Sequence, residues 1–156
     1  MTHVSTSGDR ILIVTRTFRA PRQLVYDAYT QPELLKRWLG VRNGWTFDVC
    51  EVDLRVGGAY RWVWRNAKGN ELGLSGVYKE ITAPERIVCT EKFDQPWYPG
   101  EALNTVDFLE HNGQTTLSIT MEYESKEARD GAAQSGMERG MEESFAVLDA
   151  ILAETN

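Results

Sequence analysis

Tyr60, Trp62 and Trp64 stand at alternate positions, separated by Arg61, Val63 and Arg65. Successive side chains of an extended chain point to opposite faces, so this spacing puts three large rings on one face and two cations on the other. Such a row builds either plain core packing or one wall of a site for an apolar, aromatic molecule. Val106 with Phe108, and Leu117, Ile119 and Met121 with Tyr123, repeat the alternation further along. Met137, Met141 and Phe145 fall at helical spacing, and methionine adapts to varied apolar partners as readily as it fills gaps in a core. The expected lining of a ligand site is therefore Tyr60, Trp62, Trp64, Tyr78, Val106, Phe108, Leu117, Ile119, Met121, Met137, Met141 and Phe145. Trp97 and Tyr98, inside the proline-bounded stretch Asp94 to Glu101, are the expected lid.

A catalytic set is harder to assemble. His3 lies near the start of the chain and His111 beside a hairpin turn, neither placed as a buried general base. There is no GxSxG, GxGxxG, phosphate-binding loop or paired-histidine motif. Cys50 and Cys89 are distant in sequence and sit in apparent strands, which suits reduced core thiols rather than a disulfide or zinc site. Neither a metal nor a cofactor is expected. Glu51, Asp53 and Arg55 share one strand face before Gly57 and Gly58 and read as a surface charge network. If the site is enzymatic, Tyr60, Tyr78 and Glu80 are the residues to act on a bound molecule, with Tyr78 and Glu80 the leading pair.

The elements that must position these residues follow from periodicity. Arg10 to Phe18 is rich in β-branched residues and reads as a first strand after a flexible tail over residues 1–9. Pro21 to Tyr29 reads as a short helix, and Thr30 as the cap of a second that ends near Gly40. Six strands follow at period two: Thr46 to Leu54, Ala59 to Asn66, Glu71 to Ile81, Arg86 to Phe93, Ala102 to His111 and Gln114 to Tyr123. Asn112-Gly113 suits a two-residue hairpin because both positions tolerate positive φ. From Lys126 to Glu154 an apolar stripe predicts one long amphipathic helix, with Glu138, Arg139, Glu142, Glu143 and Asp149 on its polar side. Gly131, Gly136 and Gly140 lie within it, each costing about 1 kcal/mol against alanine, for which close packing or room for a ligand would compensate. The expected fold is α+β: a curved, seven-stranded antiparallel sheet wrapped around the last helix. One helix is only about 10–12 Å across with its side chains, so a cavity is the expected by-product.

The 156 residues suit one domain, and a net charge of −6 argues against nucleic acid and anionic membranes as partners. The helix-turn-helix pair carries too few basic residues to read DNA. No apolar run approaches the roughly 20 residues needed to span a bilayer, and the start, MTHVSTSGDR, has no secretion signal. A cytoplasmic protein, monomeric or homodimeric, is expected.

Four ordered stretches then resemble a known family: RTFRAPRQLVYDAYTQPELLKRWLG (Arg16 to Gly40), DLRVGGAYRW (Asp53 to Trp62), GVYKEITAPERIVCTE (Gly76 to Glu91) and SGMERGMEESFAVLDAILAE (Ser135 to Glu154). They are similar to the activator-of-heat-shock-protein-90-ATPase-like domains of the START-like, or SRPBCC, superfamily. The resemblance implies the helix-grip fold and a deep apolar cavity, which superfamily members use for lipids, polyketides, hormones and other hydrophobic compounds. It also implies a stress-response setting and a chaperone as a further partner, although the co-chaperone's N-terminal chaperone-binding domain has no counterpart here. The chain likewise lacks the cysteine-histidine iron-sulfur motif of superfamily hydroxylases. The expected function is binding of a small hydrophobic or aromatic molecule, for carriage, sequestration or sensing. A cofactor-free cyclase or hydrolase using the same cavity, and a co-chaperone-like interaction module, are the alternatives.

Overall fold

The computed structural model describes residues 2–95 and 100–155. Its elements run β1 (His3–Ser7), β2 (Ile11–Phe18), α1 (Arg22–Thr30), α2 (Pro32–Trp38), β3 (Trp45–Val52), β4 (Ala59–Asn66), β5 (Glu71–Thr82), β6 (Arg86–Phe93), β7 (Ala102–His111), β8 (Gln114–Glu122), α3 (Lys126–Ala133) and α4 (Met137–Thr155). One antiparallel sheet has the order β1-β2-β8-β7-β6-β5-β4-β3. From β3 to β8 it is a meander, and β2 joins it by pairing with β8, Val14 opposite Ile119. Residue shifts at Phe47/Val49 and Tyr78/Glu80 interrupt the ladders, and such bulges increase the local twist that curls a sheet. Asn112 and Gly113 form the expected tight hairpin, with φ of 53° and 77°.

The sheet has eight strands where seven are expected from the sequence. The extra strand is β1, in the segment read as a tail. Its residues HVSTS are mostly exposed and carry no apolar alternation, so backbone pairing with β2, His3 opposite Thr15 through Ser7 opposite Ile11, holds it in place. Thr30 is not the cap of α2 either. Its hydroxyl donates back to the Tyr26 carbonyl at 2.8 Å, and Gln31 occupies the cap position.

The predicted C-terminal helix is two helices. The Ser125 hydroxyl caps α3 by accepting from the Ala128 N–H at 3.0 Å, and α3 ends at Ala133. Gly136 has φ +88°, outside the right-handed helical region, so α4 begins afresh at Met137. Gly140, by contrast, lies within α4, where a Cβ would fall 2.9 Å from the Arg42 guanidinium.

The orientation of α4 is set from the sheet. Leu12, Val14, Arg16 and Phe18 share the concave face of β2, and Arg16 is only 6% exposed. Its guanidinium binds Glu142 at 3.1 Å and also Asp149, two carboxylates two turns apart on α4. Thr2 donates its backbone N–H to Glu142 at 2.8 Å. The two acids assigned by sequence to a solvated face thus flank the buried stripe instead, because a guanidinium in the core must be paired. Below them Phe145, Leu148 and Leu152 are buried, and Phe145 packs edge-on to Phe18 and stacks on Trp38. The Trp38 indole N–H donates to the Ala28 carbonyl at 2.9 Å, tying α2 to α1. Among the described residues no helix is long and apolar enough to cross a membrane.

Three outcomes follow. Because Arg16 is buried while Glu142 and Asp149 are nearly half exposed, the double variant Glu142→Gln/Asp149→Asn strands a charge in the core and should cost on the order of 3 kcal/mol. Arg16→Met, which leaves only hydrated carboxylates, should cost about 1 kcal/mol, and urea unfolding compares the two. Hydrogen bonding from Thr2, followed by Arg16, holds the Glu142 carboxyl below its usual range. Its contribution is therefore present above the unfolded carboxylate pKa, near 4.5, and is lost as pH falls through the depressed native value. Glu142→Gln should flatten the acid limb of the stability curve followed by circular dichroism. For the glycines, Gly136→Ala should destabilise by about 1 kcal/mol through its positive φ. Gly140→Ala should be neutral or stabilising, since a helix gains up to about 1 kcal/mol from alanine and the Arg42 side chain can shift aside. Melting temperatures of the two single variants check the contrast.

Candidate ligand cavity

A cavity of about 400 Å³ lies between α4 and the wing of the sheet formed by β4, β5 and β6. Trp62 and Trp64 on β4, Leu72 and Leu74 on β5, and Phe93 on β6 form its sheet wall. Register explains the grouping: Trp62 sits opposite Leu74, Trp64 opposite Leu72, and Leu74 opposite Phe93. Met137, Gly140, Met141, Ser144 and Phe145 of α4 face them, and Trp38, Leu39, Arg42, Trp45, Met121 and Tyr123 complete the enclosure. The lower half of α4 packs directly on the core through Phe145, Leu148 and Leu152, while its upper half stands over the space.

Of the residues expected from the sequence to line a site, Trp62, Trp64, Met121, Met137, Met141 and Phe145 border this cavity. The other six lie on the same concave face but in solid core. Val106, Phe108, Leu117 and Ile119 are buried on β7 and β8, where Tyr26 and Tyr29 of α1 pack against Phe108 with ring centroids at 5.3 and 5.9 Å. Tyr60 and Tyr78 pack together at 5.4 Å. Tyr60 lies across Gly76, where a Cβ would come 2.6 Å from its ring, and its hydroxyl donates to the Thr90 carbonyl at 2.5 Å. A missing side chain two positions before Tyr78 thus draws Tyr60 down onto β5 and out of the cavity wall. Trp97 and Tyr98, the expected lid, lie outside the described residues.

Trp64 is held rigidly. Its indole N–H donates to the Leu39 carbonyl at 2.9 Å, and Gly40, with φ +72°, leaves the room this approach requires. The Gly40 N–H in turn donates to the Ser144 hydroxyl at 3.0 Å, linking the end of α2 to α4 beside the cavity. Arg42 borders the cavity with its guanidinium bound to Glu143 of α4. The Trp62 indole nitrogen is buried without a hydrogen-bond partner among the described residues.

Glu91, absent from the sequence-based site, borders the cavity on β6. It accepts from the side-chain amide of Asn104 at 3.1 Å, and Asn104 is itself buried on β7. The signal for Glu91 was its inward parity with Cys89 on β6. Glu80, named as a candidate actor, is exposed. The bulge between Tyr78 and Glu80 interrupts the alternation there, so inward Tyr78 carries no information about its neighbour's chemistry. Burial pushes the Tyr29, Tyr60, Tyr78 and Tyr123 phenols above their ordinary range and the Cys89 thiol up to about 12, with Glu91 adding to the rise at Tyr29, Tyr60, Tyr123 and Cys89. These groups stay protonated at neutral pH. On the convex face, Arg61 pairs with Asp94 through two contacts of 2.6 Å and Arg65 with Glu71 at 2.8 Å, and Asp53 pairs with Arg55 as a surface network. Among the described residues no three His, Cys, Asp or Glu side chains gather as a metal site.

Comparison with solved structures finds the same architecture in several bacterial proteins. A protein from Rhodobacter sphaeroides is 33% identical, with a TM-score of 0.92 over 98% of each chain. Protein NE0264 from Nitrosomonas europaea is 25% identical, with a TM-score of 0.82 over 97% of this chain and 99% of its own. An AHSA1-like protein from Aeromonas hydrophila, 20% identical with a TM-score of 0.70 over 89% of this chain and 93% of its own, shares the fold. Among curated proteins none matches the chain. The family model described as Activator of Hsp90 ATPase homolog 1-like protein matches residues 19–153, so the chain belongs to that family, within the START-like superfamily anticipated from its four motifs.

Proposed function

We propose that the protein binds a small, largely apolar or aromatic molecule between α4 and the sheet, and carries, sequesters or senses it. The observation that carries this reading is the cavity of about 400 Å³, a volume within the usual range for small-molecule sites, walled by tryptophan, leucine and methionine. Its two sides complement each other. Trp64 is immobilised by the Leu39 carbonyl, while Met137 and Met141 offer a wall that can reshape around different ligands. The phenols that border the cavity, Tyr29 and Tyr123, are raised above their ordinary range by burial and are not ready nucleophiles, which favours binding over turnover.

Titrating fatty acids, flavonoids and polyketides should produce a saturable change in tryptophan fluorescence, because Trp38, Trp45, Trp62 and Trp64 border the cavity. The cavity-filling variant Leu74→Trp/Met141→Trp should keep its fold by circular dichroism and lose about tenfold or more in affinity. Saturable binding that survives the filled variant unchanged would sink the proposal. Bound compounds recovered chemically intact separate a carrier from a cyclase or hydrolase. The family's description favours a second reading, contact with a heat-shock ATPase. Val56, 62% exposed, and Leu54 offer apolar contact on the β3–β4 connection. Pull-down and stimulation of the host ATPase, both reduced by Val56→Asp, are the outcomes that reading requires.

A further inference from the structure

The row Tyr60, Trp62 and Trp64 carries three polar handles, and the fold settles two of them. The Tyr60 hydroxyl donates to the Thr90 carbonyl at 2.5 Å and the Trp64 indole to the Leu39 carbonyl at 2.9 Å. Trp38, across the cavity, likewise donates to the Ala28 carbonyl. Trp62 is the exception: its ring borders the cavity, and its indole nitrogen is buried with no hydrogen-bond partner among the described residues. Its cross-strand neighbours explain the orphan. Cys50 on β3 and Leu74 on β5 stand beside it, and neither side chain offers more than a weak acceptor. Rings place it instead, with centroid separations of 4.9 Å to Tyr60, 6.2 Å to Phe47 and 6.1 Å to Trp64.

A buried indole N–H normally finds a partner, and one left unmet costs stability that a phenylalanine in its place would not. Here the orphan belongs to a ring that faces a space of about 400 Å³, where a second molecule has room to enter. An indole N–H is a donor only, so an acceptor is what completes it. Charge narrows the choice. Arg42 is the one cationic side chain among the described residues bordering the cavity, and Glu143 already matches its charge. A carboxylate entering this apolar space would leave water without an unpaired cation to meet it, whereas a ketone, quinone or lactone carbonyl gives up far less hydration. Resting on the binding reading above, we propose that the ligand carries a neutral carbonyl acceptor that seats on the Trp62 indole N–H. Trp62 is then the residue that distinguishes oxygenated aromatic ligands from plain hydrocarbons.

The test uses acetylnaphthalene and isopropenylnaphthalene, two probes of matching shape in which a carbonyl oxygen replaces a methylene, with naphthoate as the anionic comparison. Each is titrated into the full chain by heteronuclear NMR, which reads the Trp62 indole N–H directly. The ketone should move that proton downfield relative to the alkene, since ring-current effects are common to both and only the ketone brings an acceptor. In Trp62→Phe the ketone-to-alkene affinity ratio should fall about fivefold from its wild-type value, the size expected of one neutral hydrogen bond. Comparing ratios cancels the different hydration of the two probes. The wild-type resonance needs no variant, so the test stands even if Trp62→Phe does not fold. A ratio unchanged within about twofold, or an indole proton that both probes shift alike, overturns this inference and leaves the binding reading intact. Naphthoate bound more tightly than the ketone, and weakened by Arg42→Gln, also overturns it. Failure of all three probes, together with failure of the wider panel, overturns both.

Discussion

A guanidinium buried on the concave face of the sheet constrains everything else. Arg16 cannot be desolvated without partners, and the partners it has, Glu142 and Asp149, sit two turns apart on the last helix. Two contacts at that spacing define both the rotation and the height of α4 over the sheet. Phe145, one turn from each, is then driven between Phe18 and Trp38, and Leu148 and Leu152 are buried below it. The residues above this anchor, from Met137 to Met141, stand over the cavity instead of packing on the sheet wing opposite. The cavity is the geometric remainder.

The aromatic residues divide along the same line. Beside β7 and β8, where α1 packs, Tyr26 and Tyr29 meet Phe108 edge to face, and Trp38 of α2 stacks on Phe145. Trp62 and Trp64 on β4 face the chamber. Two missing side chains tune the boundary. Gly76 lets Tyr60 lie flat against β5, and Gly40 lets Trp64 reach the Leu39 carbonyl. Wall and core are built from the same residue types; their neighbours decide which is which.

Chemical character follows from that partition. Tyr29 and Tyr123 border the chamber with phenols that burial raises above their ordinary range, so what faces it is largely apolar surface. Family membership accords with this architecture and leaves the ligand open, since a shared fold carries many different sites.

Period-two alternation in the meander, the Asn112-Gly113 turn and the apolar stripe from Met137 onward were legible in the sequence, because each reflects a local backbone preference repeated over several residues. So was the concave face itself: Tyr60, Trp62, Trp64, Met121, Met137 and Phe145 all point inward as their spacing requires. Local patterning could not show β1, whose polar residues are held only by pairing with a distant register, nor the break at Gly136, where one positive φ interrupts an unbroken apolar stripe. It also could not separate wall from core, since parity states which face a side chain takes and not what stands opposite. That was decided by contacts between residues more than a hundred positions apart, above all Arg16 with Glu142 and Asp149. Sequence alone thus determines faces and elements, through short-range sterics and hydrophobic period. Tertiary structure decides the space between them, because a cavity is a property of two surfaces and their separation.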